Sequence, residues 1–267
     1  MTTPLLPASP LGRRRALQLL GGAGLAALVG CASRDRSTAT ASTSTTSTTA
    51  SASTSTTAAA AADAIPEETA GPYPGDGTNG PDVLTQDGVV RSDITTSFGS
   101  STTTAAGVPL TIRLLLQEAG SGQARGGAVY LWHCDREGRY SLYSPGVEGE
   151  NYLRGVQEAD GDGVVTFTSI FPAAYSGRWP HIHFEVYDSV ADATGGGRPA
   201  ATSQVALPED ICDQVYATDG YDQSVRNLSQ TSLENDNVFG DDDGVHQLAT
   251  ISGDVTSGIT AELAVPV

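Results

Sequence analysis

Lysine is missing altogether from the 267 residues; all 14 basic side chains are arginine, set against 31 carboxylates. The formal charge is therefore −17 at pH 7. A chain this acidic repels the phosphates of nucleic acids and the anionic surface of membranes, which makes both poor partners. Stretches with a helical apolar period are also scarce, which argues against a helix bundle. Three cysteines allow at most one disulfide, and the four histidines leave a very small set for imidazole chemistry.

The first 30 residues contain no acidic side chain. Arg13, Arg14 and Arg15 precede an apolar run too short to span a membrane comfortably, and small residues follow. This reads as an export signal over residues 1–30. Its arginines resemble a twin-arginine signal, and Leu28-Val29-Gly30-Cys31 resembles a bacterial lipobox. The expectation is a chain lipidated on Cys31, at the cell surface or outside the cell, with a charge of −20 once the three arginines are removed. An uncleaved transmembrane anchor is the alternative. Residues 31–62 are almost entirely Ser, Thr and Ala (STATASTSTTSTTASASTSTTAAAAA) and offer nothing to bury. They are expected to form a disordered tether, whose glycosylation stays open.

Over 63–267 the composition becomes that of a folded domain. Short segments at 108–117, 128–133, 164–170, 181–187, 202–207, 246–251 and 260–267 have strand character and often alternate apolar with polar residues. Turn signals such as DREG and ADGDG separate them, so the fold class expected is all-β, a sandwich of two packed sheets. Residues 68–88 (ETAGPYPGDGTNGPDVLTQDG) are too rich in Gly and Pro for a regular element, and a loop that long frames a site or packs on a surface. With Cys31 assigned to the lipobox, Cys134 and Cys212 remain, and a disulfide between them is expected.

RWPHIHFEV, residues 178–186, holds two of the four histidines. On a strand His181 and His183 share one face while Ile182 points to the other, so the two imidazoles can grip one metal ion. Tyr175 and Arg178 lie within nine positions of them. An arginine beside a bare histidine pair repels a dication unless anionic ligands lower the local charge, and a phenolate is a hard oxygen donor suited to a ferric ion.

The runs VYLWHCDREGRYS and NYLRGVQEADGDGVVTFTSIFPAAYSGRWPHIHFEV resemble the intradiol ring-cleavage dioxygenases, the family of catechol 1,2-dioxygenase and protocatechuate 3,4-dioxygenase. The resemblance extends from about Glu68 to Leu207 and includes ETAGPYP and RSDI. It implies a non-haem Fe(III) held by Tyr140, Tyr175, His181 and His183, with Arg178 and Gln204 beside the substrate and Tyr175 able to leave the metal and act as a base. Tyr143 is the alternative to Tyr140. His133 is expected in the core rather than on the metal. A catecholic substrate and O2 are the implied partners. Trp179-Pro180 replaces the Pro-Ala of familiar members, and their amino-terminal dimerising helices have no counterpart, so a monomer is expected. The competing expectation is a lipid-tethered sandwich that binds an aromatic or carbohydrate ligand without turnover.

Overall fold

The computed structural model describes residues 63–267. The expected export signal, Cys31 and the 31–62 tether lie outside the described residues. Eight strands form within them: β1 (Pro109–Gln117), β2 (Ala128–Trp132), β3 (Arg154–Glu158), β4 (Val164–Ile170), β5 (His181–Tyr187), β6 (Ala201–Ala206), β7 (Thr250–Asp254) and β8 (Gly258–Pro266). They build two four-stranded sheets, of order β4-β1-β8-β7 and β3-β2-β5-β6. All neighbours are antiparallel except β1 and β8, which run parallel.

Alternation along β1 explains the packing. Leu110, Ile112, Leu114 and Leu116 are buried, and the residues between them are only partly covered. The buried set shares one core with Val129, Leu131, Ile182, Phe184 and Val186 from the other sheet. By contrast β2 and β5 are buried at every position. The reason is that the far face of their sheet is covered too: Val83, Leu84 and Val89 from the amino-terminal segment pack with Tyr130, Trp132 and Tyr140 in a second cluster. The Gly- and Pro-rich stretch at 68–88 thus lies on the face opposite the inter-sheet core.

Arg154 fastens that cover. Its side chain is fully buried, and all five guanidinium N–H groups are used. Nε donates to Ser141 Oγ, Nη1 to Pro74 O and Tyr130 Oη, and Nη2 to Tyr73 O and Ser141 O. These contacts tie the Tyr73-Pro74 segment to the sheet.

Several sequence expectations differ from the fold. β3 was not among the expected strands, because a buried arginine gives it no apolar alternation. The strand expected at 246–251 lies instead at Thr250–Asp254, with Leu248 joined to Ala206 by a lone bridge. Three short helices interrupt the strands: α1 (Val190–Thr194), α2 (Glu209–Tyr216) and α3 (Asp222–Leu228). They are too brief for a 3.6-residue period to stand out. The expected disulfide does not form: Cys134 and Cys212 are both free and buried, with their thiols directed to the carbonyls of Ala173 and Leu207.

Candidate active site

β-Sheet register places the first donors. His183 lies opposite Trp132 on β2 and Gln204 on β6, so the three form one cross-strand row on the covered face. His181 lies opposite Ala206, whose small side chain leaves room for the ring. Behind them Ile182 and Phe184 anchor the strand in the inter-sheet core. Gly71 passes so close that a Cβ there would meet His183 Cε1 at 3.3 Å, and its φ is +71°, so glycine is needed on both counts.

The two phenols come from loops. The segment before β5 is pinned from α3, where Ser224 Oγ accepts from Ala174 N at 3.1 Å and Asn227 Nδ2 donates to Ala174 O at 2.8 Å. That fixes Tyr175. Tyr140 follows the DREG turn, in which Asp135 Oδ1 accepts from Glu137 N and Arg139 N. Tyr143, the alternative to Tyr140, points elsewhere: its Oη accepts from Gly75 N at 2.9 Å, and Arg154 lies over its ring.

The four groups meet at His181. Its Nε2 is 3.4 Å from Tyr140 Oη, 3.0 Å from Tyr175 Oη and 3.1 Å from His183 Nε2, and the phenol oxygens are 3.4 Å apart. His181 Nδ1 is 2.5 Å from the carbonyl of Trp179. A carbonyl only accepts, so Nδ1 carries the proton and Nε2 has a single lone pair facing four polar neighbours, the two phenols, His183 Nε2 and Arg178 Nη1. Crowding four groups on one acceptor is poor hydrogen bonding, but the two phenols and two imidazoles among them make a good coordination shell. Ligands about 2 Å from a shared cation stand roughly 3 Å from one another. Among the described residues no three His, Cys, Asp or Glu side chains form such a group; this set depends on its two phenols.

Burial keeps the set uncharged. It lowers His181 to about 3, with help from Arg178, and holds His183 well below the usual imidazole range. It also pushes Tyr175 up to about 12 and Tyr140 well above the usual phenol value. Two neutral imidazoles and two phenols therefore surround the point, and a cation is what would favour ionising the phenols. The residues fit a hard, highly charged metal ion.

Arg178 is held from two sides. Nε donates to Asp236 Oδ2 at 2.9 Å and Nη2 to Gln204 Oε1 at 2.7 Å, which leaves Nη1 3.4 Å from His181 Nε2. Gln204 in turn donates from Nε2 to Thr69 O at 2.8 Å. Asp236 is the residue that sequence reasoning missed. Its buried carboxylate also accepts from the backbone N–H groups of Trp179, Val238 and Phe239. The segment LENDNVFG carries no motif, and only the arginine it reaches gives it meaning. His133 lies apart from the cluster, its Nδ1 2.7 Å from Cys134 O and its Nε2 2.7 Å from Ser169 Oγ.

A cleft of about 580 Å³ opens onto Tyr140, Tyr175 and Arg178 and is walled by Pro72, Tyr73 and Val238. An intradiol ring-cleavage dioxygenase from Tetranychus urticae matches with a TM-score of 0.60 at 24% identity, over 76% of this chain and 94% of that one. The chain has the intradiol ring-cleavage dioxygenase fold. A second dioxygenase structure matches with a TM-score of 0.58 at 23% identity, again over 76% of this chain and 94% of its own. No protein-family model and no curated protein matches the chain.

Proposed function

We propose that the protein is a non-haem Fe(III) intradiol dioxygenase, which cleaves a catechol-type ring between its two hydroxyl-bearing carbons with O2 to give a cis,cis-muconate-type diacid. The observation that carries this reading is the meeting of two phenols and two imidazoles around His181 Nε2, at the floor of a cleft, in a chain with this fold. Tyr140, Tyr175, His181 and His183 would hold the iron. Bound there, a ferric ion supplies a Lewis acid that makes the catechol ring reactive toward O2 without an external reductant.

The chain's own groups do the rest. Tyr175 borders the cleft, and its Oη, once ionised by a bound ferric ion, would serve as the base for a proton from an incoming catechol hydroxyl. Arg178 Nη1 faces the same point and stabilises negative charge that develops on the ring, a preorganised electrostatic role. Gln204 fixes the angle of the guanidinium. Pro72, Tyr73 and Val238 line the cleft and would pack against the ring. An exported form anchored through Cys31 belongs to the same proposal, and Cys31→Ser should release the protein from membranes.

The test is the visible spectrum and iron content of the protein before and after anaerobic addition of catechol. A phenolate-to-iron charge-transfer band that shifts with catechol supports the reading. A protein that stays colourless and cannot be loaded with iron would sink it.

A further inference from the structure

The cleft contains one cation among its described lining residues, Arg178, and that cation is already paired. Asp236 is completely buried behind it, takes Nε at 2.9 Å, and is itself held by three backbone N–H groups, so it cannot swing away. Gln204 occupies Nη2. The nearby Arg154 has spent all five donors on neutral oxygens beneath Tyr73. The remaining walls, Pro72, Tyr73, Val238 and Asn237, bear no charge. Arg178 Nη1 is aimed at the His181 point, so a ring substituent carrying its own negative charge would lose water against the outer walls and meet no unpaired side-chain cation there, inside a chain of charge −17.

We propose that Asp236, by neutralising Arg178, makes the cleft selective for catechols whose ring substituents are uncharged. This rests on the dioxygenase reading for the reaction, while the preference itself is a property of binding. Asp236 acts through Arg178 and is a specificity-determining positioning residue.

The experiment uses the full iron-loaded chain and three probes: catechol, 4-methylcatechol and 3,4-dihydroxybenzoate. Anaerobic titration gives Kd for each, and oxygen uptake gives kcat/KM. The wild type should bind the two uncharged probes within a few-fold of each other and the carboxylated one roughly 100-fold more weakly, as expected for desolvating an unpaired carboxylate. Asp236→Asn leaves the guanidinium uncompensated and should narrow that ratio by about tenfold, even if absolute affinity falls. Asn237→Arg, at an exposed rim position, should narrow it as well and serves if the first variant does not fold. Equal affinity of the wild type for all three probes overturns the proposal. So does an Asp236→Asn variant that weakens all three equally, because that is the mark of a purely structural residue. If the preference holds in Kd but no probe is turned over, the dioxygenase reading fails and the charge selectivity stands.

Discussion

Trp132 and His183 lie face to face on neighbouring strands, with ring centroids 5.0 Å apart and planes inclined by 4°. The stack follows from register, since the two residues are directly opposed. Trp132 Nε1 is buried without a hydrogen-bond partner, so the indole contributes through its ring alone. Trp132→Phe should therefore cost much less than Trp132→Ala, for which about 3–5 kcal/mol is expected from the cavity. Chemical denaturation of both variants measures this; equal costs would show that the ring's contact with His183 contributes nothing.

The two candidate phenols separate in a simple comparison. Tyr140→Phe removes one of the two phenol oxygens from the cluster around His181 and should weaken and shift the charge-transfer band and lower bound iron. Tyr143→Phe removes only an acceptor for Gly75 N, which should cost roughly 1 kcal/mol of stability and leave iron content unchanged. Metal analysis of the two purified variants decides between them.

Arg154 should tolerate no substitute. Lysine has three donors where the guanidinium makes five hydrogen bonds; Pro74 O keeps Tyr130 Oη, but Arg154→Lys cannot reach all the other acceptors, and a carbonyl of Tyr73 or Ser141 left without a partner costs about 1–3 kcal/mol. The Tyr73-Pro74 segment should loosen with it. Limited proteolysis should then cut the 68–88 segment faster than in the wild type; an unchanged cleavage rate would show that Arg154 does not hold the segment.

Asp236 gives the fold a defined acid dependence. Burial alone would raise its carboxyl, but hydrogen bonds from Trp179 N, Arg178 and Val238 N outweigh that and hold it below the ordinary value. Its folded value is depressed, so its contribution is complete above the unfolded value of about 3.9 and is lost as pH falls through the folded value. Asp236→Ala should cost about 3–5 kcal/mol at pH 7, and the gap to the wild type should shrink below about pH 4. Parallel stability curves across pH 3 to 7 would contradict this.

Both thiols should be inert in the native state. Burial pushes Cys134 and Cys212 well above the usual thiol range, and each is free. An alkylating reagent should label neither until the protein is unfolded, when both react without prior reduction. A mass shift on reduction of untreated protein would restore the disulfide.

Short apolar segments, several with period-two alternation, make most strands of both sheets legible in the sequence, and HIH on a strand by itself puts two imidazoles on one face. What stayed hidden depended on partners far away in the chain. Arg178 is readable as a cation, but Asp236 is found only by following its Nε across the fold. β3 reads as polar because Arg154 is satisfied by carbonyls from residues 73, 74 and 141, which no local pattern records. The Gly-rich stretch between β5 and β6 carries no periodic signal that relates Gln204 to the histidines, and β5–β6 pairing sets it opposite His183.

The parallel pairing of β1 with β8 also governs the order of assembly. Leu110 finds its neighbour Ser169 on β4 well before it finds Ile259 on β8. Until β8 docks, β1 presents an unpaired edge backed by Leu110, Ile112, Leu114 and Leu116, which is the kind of surface on which nascent chains stick to one another. Folding dominated by so distant a contact is slow, in the millisecond to second range typical of sandwiches. The vulnerable species is therefore the chain lacking docked β8, and yield on refolding should fall with protein concentration more steeply than native stability would suggest.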